Sequence, residues 1–426
     1  MVWIQCIYFC LIAFYFFHRE KQINAAFIIC IFYAFSSVMA VMIDVLNLYG
    51  DFGIDDYQYS IGGTIVYCLG LTAILFPFTK LQISEASFKL KNPRLFSAMC
   101  IVLFSCTLIY VLLNFTEIVY SLTTDAEEVK ASHYDDLSSG STSTTQNLFM
   151  YPLNILSSAW NVMLLCWFIS FIFLKKGFIF NSMLLLGSFG GVLKGSLIAG
   201  RAAIIYWIFS FITLFCIFYP YFPSAKIRRR LILFVSVPFA LVAIVFYSIT
   251  ISRFGYQGEN EALYSFIGYA GQPYNNFCAV FEHSDNLPFT IERIMPVTYK
   301  YIVGGQFDLV EYYGRLAMQT GILVNNFYTL IGGLLLTTGL PFSILCICLY
   351  YLCASRVCRK LSKTMDFSYF LLVSILILVP IQGMFDVPFP YIGDTLVNIV
   401  ILIFFFLFHY SFSFGKEREN ETAKTD

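Results

Sequence analysis

Charge is what this chain has least of. Lysine, arginine, aspartate and glutamate make up 12% of its 426 residues, against 59% hydrophobic residues and a mean hydropathy of +0.75. A soluble domain carries roughly twice that share of charge, so most of this chain belongs in lipid. The 26 basic and 26 acidic residues cancel, which removes the electrostatic footprint of a nucleic-acid partner. No G-x-x-x-x-G-K-[ST] sequence occurs, so the phosphate-cradling loop of an ATP-driven pump is missing. The first apolar run, 2–17, has neither a basic segment before it nor a small-residue cleavage site after it; it reads as a span and not as a secretory signal. Of thirteen cysteines, only Cys278 falls in a sizeable outside loop. They cannot make a disulfide framework and read as small buried hydrophobes.

What the chain does have is long apolar runs. About 20 residues of helix cross the hydrocarbon core, and eleven runs qualify: 2–17, 24–46, 60–78, 95–114, 152–174, 178–199, 202–222, 231–250, 328–353, 367–385 and 395–412. The expected fold is all-α, a polytopic membrane protein of about eleven spans in a single membrane domain, 1–426. Nineteen of the 26 basic residues fall in one set of alternate connections, together with the tail 413–426. Basic loops stay cytoplasmic, so the N-terminus is expected outside and the C-terminus inside. The outer side then carries an acidic loop, 115–151, with a Ser/Thr-rich run at 137–146, and the largest loop, 251–327. Within the latter, 259–270 reads as an amphipathic helix on the membrane surface, ended by Gly271-Gln272-Pro273. The longest cytoplasmic connection has about sixteen residues, too few for a nucleotide-binding domain. Chemistry is therefore expected outside or within the membrane.

Ionisable residues inside spans are costly and point to function. Lys194 is the clearest, and it lies two helical turns before Arg201, so a continuous helix puts both cations on one face, where they could hold an anionic headgroup. The large loop adds Arg253, Arg293 and Arg315 on the cation-poor side. Guanidinium groups match phosphate oxygens bidentately, although each is also a ready salt-bridge partner for Glu259, Glu282, Glu292 or Glu311. Acid–base candidates are Glu282 and His283, with Asp285 and Glu311 beside them. Tyr274 and the other outer tyrosines could stack on sugar rings or form an interface belt. Asp125 with Glu127 and Glu259 with Glu261 have the spacing of carboxylate metal pairs; no metal site is assigned from them.

Three stretches carry a family resemblance: Gly200-Arg201-Ala202-Ala203-Ile204-Ile205 entering a span, Tyr269-Ala270-Gly271-Gln272-Pro273-Tyr274-Asn275-Asn276-Phe277 in the large loop, and Asn326-Phe327-Tyr328-Thr329 followed by Gly339-Leu340-Pro341. With the late, long outer loop, they resemble the O-antigen polymerase family, the Wzy-type oligosaccharide repeat unit polymerases. Arg293 and Gly304 also match that family's arginine, ten residues, glycine pattern; Arg201 and Arg253 have no glycine at that distance. The resemblance implies a GT-C-like helical bundle in the bacterial inner membrane and a metal- and nucleotide-independent glycosyltransferase with no cofactor. Its substrates would be undecaprenyl-pyrophosphate-linked glycans, polymerised at the periplasmic face beside membrane lipid and a chain-length regulator protein. The competing readings are a lipid-linked oligosaccharide flippase and an O-antigen ligase.

Overall fold

The computed structural model describes residues 1–20, 23–48, 59–81, 83, 88–124, 150–197, 202–222, 224, 236, 261–284, 287, 289–304, 309–322, 327–388 and 392–410. Among them the regular structure is helical, apart from an isolated bridge between Lys89 and Asp366. The main elements are α1 (Val2–Glu20), α2 (Ala25–Leu46), α3 (Ile61–Leu75), α4 (Pro93–Leu113), α5 (Phe115–Thr123), α6 (Met150–Ser157), α7 (Trp160–Ile172), α8 (Phe178–Ser188), α9 (Gly190–Ser196), α10 (Ala202–Phe218), α11 (Glu261–His283), α12 (Leu309–Thr320), α13 (Thr329–Thr364), α14 (Phe367–Gln382) and α15 (Ile392–Tyr410). Among the described residues eight helical stretches are long and apolar enough to cross a membrane, and the bent pair α6–α7 makes a ninth if it counts as one span. Large apolar side chains such as Leu11, Phe14, Val45, Leu112 and Phe178 face outward. In water that surface would aggregate; in lipid it needs no cover. The chain is an all-α polytopic membrane protein. The run 231–250 lies outside the described residues.

Helix starts follow local chemistry. Asn24, Ser60, Asn92 and Asp366 each accept a hydrogen bond from a backbone N–H two or three residues on, at 2.8–3.0 Å, filling donors that a helix start leaves open. The basic connections then meet at one end of the bundle. Arg19 and Lys80 both sit over the Phe76 ring, at 5.1 and 5.6 Å. Lys91 pairs with Asp366 at 3.2 Å and donates to the His409 carbonyl at 3.0 Å, and Ser362 donates to the Lys80 carbonyl at 2.8 Å. We call this the basic end, and the other the cation-poor end.

Three expected elements are built differently. The run 152–174 is two helices bent by 51°. At the break Ser157, Ser158 and Lys194 all donate side-chain hydrogen bonds to the Asn154 carbonyl, while the backbone tightens to three-residue bonds from Ser158 and Ala159; these competing donors end the regular ladder.

The expected span 328–353 is a hairpin. Gly339 has φ +69° and ψ 172°, outside helical geometry, and Pro341 sits in the first turn beyond it. A side chain built on Gly70 would touch both Ile331 and Ile347, and Leu330 and Tyr350 line one cavity. Those pairs are 16 and 20 residues apart, roughly 24 and 30 Å along a straight helix, so 329–338 folds back against 340–364.

The surface helix expected at 259–270 is the start of α11, which runs on through Pro273 to His283 with 267–280 buried. Proline breaks helices in water, but close packing overrides that preference here. Gly271 lies so near α2 that an added Cβ would come within 2.5 Å of the Met39 backbone, and Ser36 on α2 donates to the Ala270 carbonyl at 2.6 Å. Ile267 packs with Ile43 and Leu48 at the end of α2, and Phe281 against Gly62 and Gly63 at the start of α3. Both ends of α11 therefore stay at the cation-poor end.

Candidate functional site

Glu292 and Arg293 are adjacent, and each pairs with an opposite charge brought from elsewhere. Arg293 is 1% exposed and donates through Nη2 to Asp386, whose other oxygen accepts the Val387 N–H at 2.6 Å. Its guanidinium carbon lies 4.9, 5.4 and 5.6 Å from the ring centroids of Tyr313, Tyr328 and Tyr312. Burial works against the charge, but Asp386 and then the three phenols hold Arg293 protonated. Its Nε and Nη1 have no hydrogen-bond partner among the described residues. Glu292 is 4% exposed and accepts a hydrogen bond from Arg315, whose guanidinium carbon is 5.8 Å from the same Tyr312 ring. That ring ties the two ion pairs into one cluster; burial pushes its phenol up, with Arg293 and Arg315 pulling it back.

The hairpin of α13 supplies the frame. Thr329 and Leu330 donate backbone N–H bonds to the Phe385 and Gly383 carbonyls at 3.0 and 2.8 Å, which places Tyr328 beside Asp386; Thr290 donates to the Thr337 carbonyl at 2.7 Å, which places Glu292 and Arg293. Asn276 on α11 holds the Phe327 carbonyl at 2.7 Å, and α12 presents Tyr312, Tyr313 and Arg315. Since α14 starts at the basic end, its 16 residues carry Asp386 roughly 24 Å toward the opposite end. A cavity of about 250 Å³ opens beside the cluster, lined by Thr290, Glu292, Tyr299, Arg315, Leu316 and Gln319.

The structure thus brings together two of the arginines expected from sequence. Arg315 borders the cavity and Arg293 lies behind it; Arg201 and Arg253 lie outside the described residues. Gly304, at φ +78°, takes the left-handed conformation that ends the turn 299–303. Lys194 is apart from the cluster. It donates to the Asn154 carbonyl at 3.0 Å and to the Ser158 hydroxyl, over the Tyr110 ring at 5.5 Å, capping the broken helix α6. Tyr274 is buried and its hydroxyl lies 2.9 Å from that of Thr64, so it joins α11 to α3 instead of facing a ligand. Glu282 and His283 are exposed at the end of α11, with His283 Nδ1 engaging its own helix at the Ala279 carbonyl, 2.9 Å away; neither lines the cavity. Among the described residues no three His, Cys, Asp or Glu side chains gather as metal ligands; Asp125, Glu127 and Glu259 lie outside them.

Sequence reasoning missed Asp386, the tyrosine cage and the cavity-facing role of Glu292. The one signal for Asp386 was an acid closing an apolar run at the cation-poor end; its partner is 93 residues away, beyond any local pattern. No family model matches the chain, and no curated protein or solved structure matches it.

Proposed function

We propose that the protein polymerises undecaprenyl-pyrophosphate-linked oligosaccharide repeat units into O-antigen or a related surface polysaccharide, at the periplasmic face of a bacterial inner membrane. The growing glycan passes from its pyrophosphate carrier to a hydroxyl of the incoming lipid-linked unit. The bundle is GT-C-like, with eleven spans, the N-terminus periplasmic and the C-terminus cytoplasmic, so the basic end faces the cytoplasm.

The observation that carries this reading is the cation pair at the cation-poor end. Arg315 stands at the rim of a sugar-sized cavity, and Arg293 keeps two donors without an acceptor among the described residues, in a buried setting. A buried, unfilled guanidinium donor is costly. Pyrophosphate oxygens entering past the half-buried Tyr313 would fill these donors, and the two cations would stabilise the leaving group as its charge develops. The donor already contains its leaving group, so the transfer needs no nucleotide.

Purified protein in lipid vesicles, given lipid-linked repeat units alone, should yield a ladder of longer glycans, and a deletion strain should retain surface lipid with a single repeat unit. A deletion strain with no repeat unit at all, and no ladder from the purified protein, would replace polymerisation with flipping or ligation.

A further inference from the structure

The cavity beside the cluster has a lining suited to a sugar ring. Its volume of about 250 Å³ equals roughly eight waters, room for one pyranose, and the cavity is open on one side. Glu292 and Leu316 form its floor, at 4% and 3% exposure. Arg315 and Gln319 are the exposed members of the lining, and Thr290 and Tyr299 complete the walls. Residues bearing a carboxylate, an amide, a hydroxyl and an aromatic ring around one small, half-open space match the pattern by which a site orients a polyhydroxylated ligand. The carboxylate is also oriented before any ligand arrives. Arg315 occupies Glu292 Oε1, the Glu292 backbone N–H is anchored on Thr290 Oγ1 at 3.3 Å, and Oε2 has no partner among the described residues, which leaves it for an incoming hydroxyl.

Building on the polymerase reading, we propose that this cavity seats the terminal sugar of the acceptor unit and that Glu292, not Glu282 or His283, is the general base. The Glu292 carboxylate takes the proton from the acceptor hydroxyl. The oxygen's electron pair forms the bond to the anomeric carbon of the donor glycan as the bond from that carbon to the pyrophosphate oxygen breaks. The leaving electron pair departs on undecaprenyl pyrophosphate beside Arg315 and Arg293. The proton then passes from Glu292 to water. Adjacency in sequence thereby puts base and leaving-group cation on consecutive residues.

The test uses full-length protein in vesicles with lipid-linked repeat units. Glu292→Gln should lower kcat by about 100- to 10,000-fold while lipid-linked substrate still binds. Glu292→Asp should recover part of the rate. Gln319→Ala should raise KM for the acceptor more than it lowers kcat, and Thr290→Ala, which also releases the Glu292 backbone N–H, should raise KM and lower kcat together; a merely structural role for Glu292 predicts neither. Melting curves for each variant identify any that fail to fold, and for a misfolded Glu292→Gln the Thr290 and Gln319 variants decide. A Glu292→Gln enzyme above half the wild-type rate, or an unchanged acceptor KM in both wall variants, would overturn the assignment and leave the polymerase reading standing. A wild-type protein that makes no ladder would end both.

Discussion

Removing Asp386 should be the most damaging single change to the Arg293 cluster. The two partners are buried unequally: the Arg293 side chain is 1% exposed and that of Asp386 23%. Breaking a buried ion pair by deleting one partner costs about 3–5 kcal/mol, because the other is left uncompensated. After Arg293→Met, the orphan is Asp386, which reaches solvent and can hydrate or take up a proton. After Asp386→Ala, the orphan is a guanidinium that cannot deprotonate, and it is left with the rings of Tyr312, Tyr313 and Tyr328, each worth about 0.5–2 kcal/mol. Asp386→Ala should therefore fall at the upper end of that range and Arg293→Met at the lower. The double variant should be no less stable than Arg293→Met, so the coupling between the sites should be at least the whole Asp386→Ala loss, about 5 kcal/mol. Thermal unfolding of the four proteins in detergent, followed by intrinsic fluorescence, gives the order directly. Additive losses in the double variant, or an Asp386→Ala protein as stable as wild type, would refute the idea that Asp386 is the counter-charge that lets Arg293 stay buried.

The close approach of α11 to α2 predicts that Gly271→Val removes folded protein from the membrane, since the clash at 2.5–2.7 Å is with the Met39 and Ala40 backbone and no rotamer relieves it; Gly314→Ala, with open space around it on the exposed side of α12, should instead be neutral or stabilise by up to about 1 kcal/mol. The hairpin in α13 predicts that cysteines placed at Leu330 and Tyr350 in a cysteine-depleted background are joined by a short bifunctional reagent. A straight helix would hold them roughly 30 Å apart, so failure to cross-link in folded protein would argue for an unbroken span.

Much of the architecture is written locally. Apolar run length marks the spans, because each must satisfy its own backbone within lipid, and residues such as Asn24, Ser60 and Asn92 mark where helices start. The sorting of basic residues anticipated which connections would meet, and Arg19, Lys80, Lys91 and Lys360 sit in those connections. Local reading failed where tertiary contacts outbid it. Gly271-Gln272-Pro273 looks like a helix stop, and in isolation it would be one; against the α2 backbone the same glycine permits the contact that keeps α11 helical. Gly339-Leu340-Pro341 was legible as a motif, but the sequence cannot say whether such a break kinks a span or reverses it.

The candidate site divides in the same way. Sequence by itself determined that the chain lives in lipid, that its cations are sorted between two sides, and that Arg293 and Arg315 are exceptions on the cation-poor side, because hydropathy and charge are properties of each residue where it stands. Only the tertiary structure decided that Arg293 pairs with Asp386, that Arg315 pairs with Glu292, that Tyr312 joins the two pairs, and that a cavity opens above Glu292 while Glu282 and His283 lie away from it. Ion pairing and cavity shape depend on the folding-back of 329–338 and on chain segments up to 93 residues apart, and no property of a single residue or its neighbours encodes that distance.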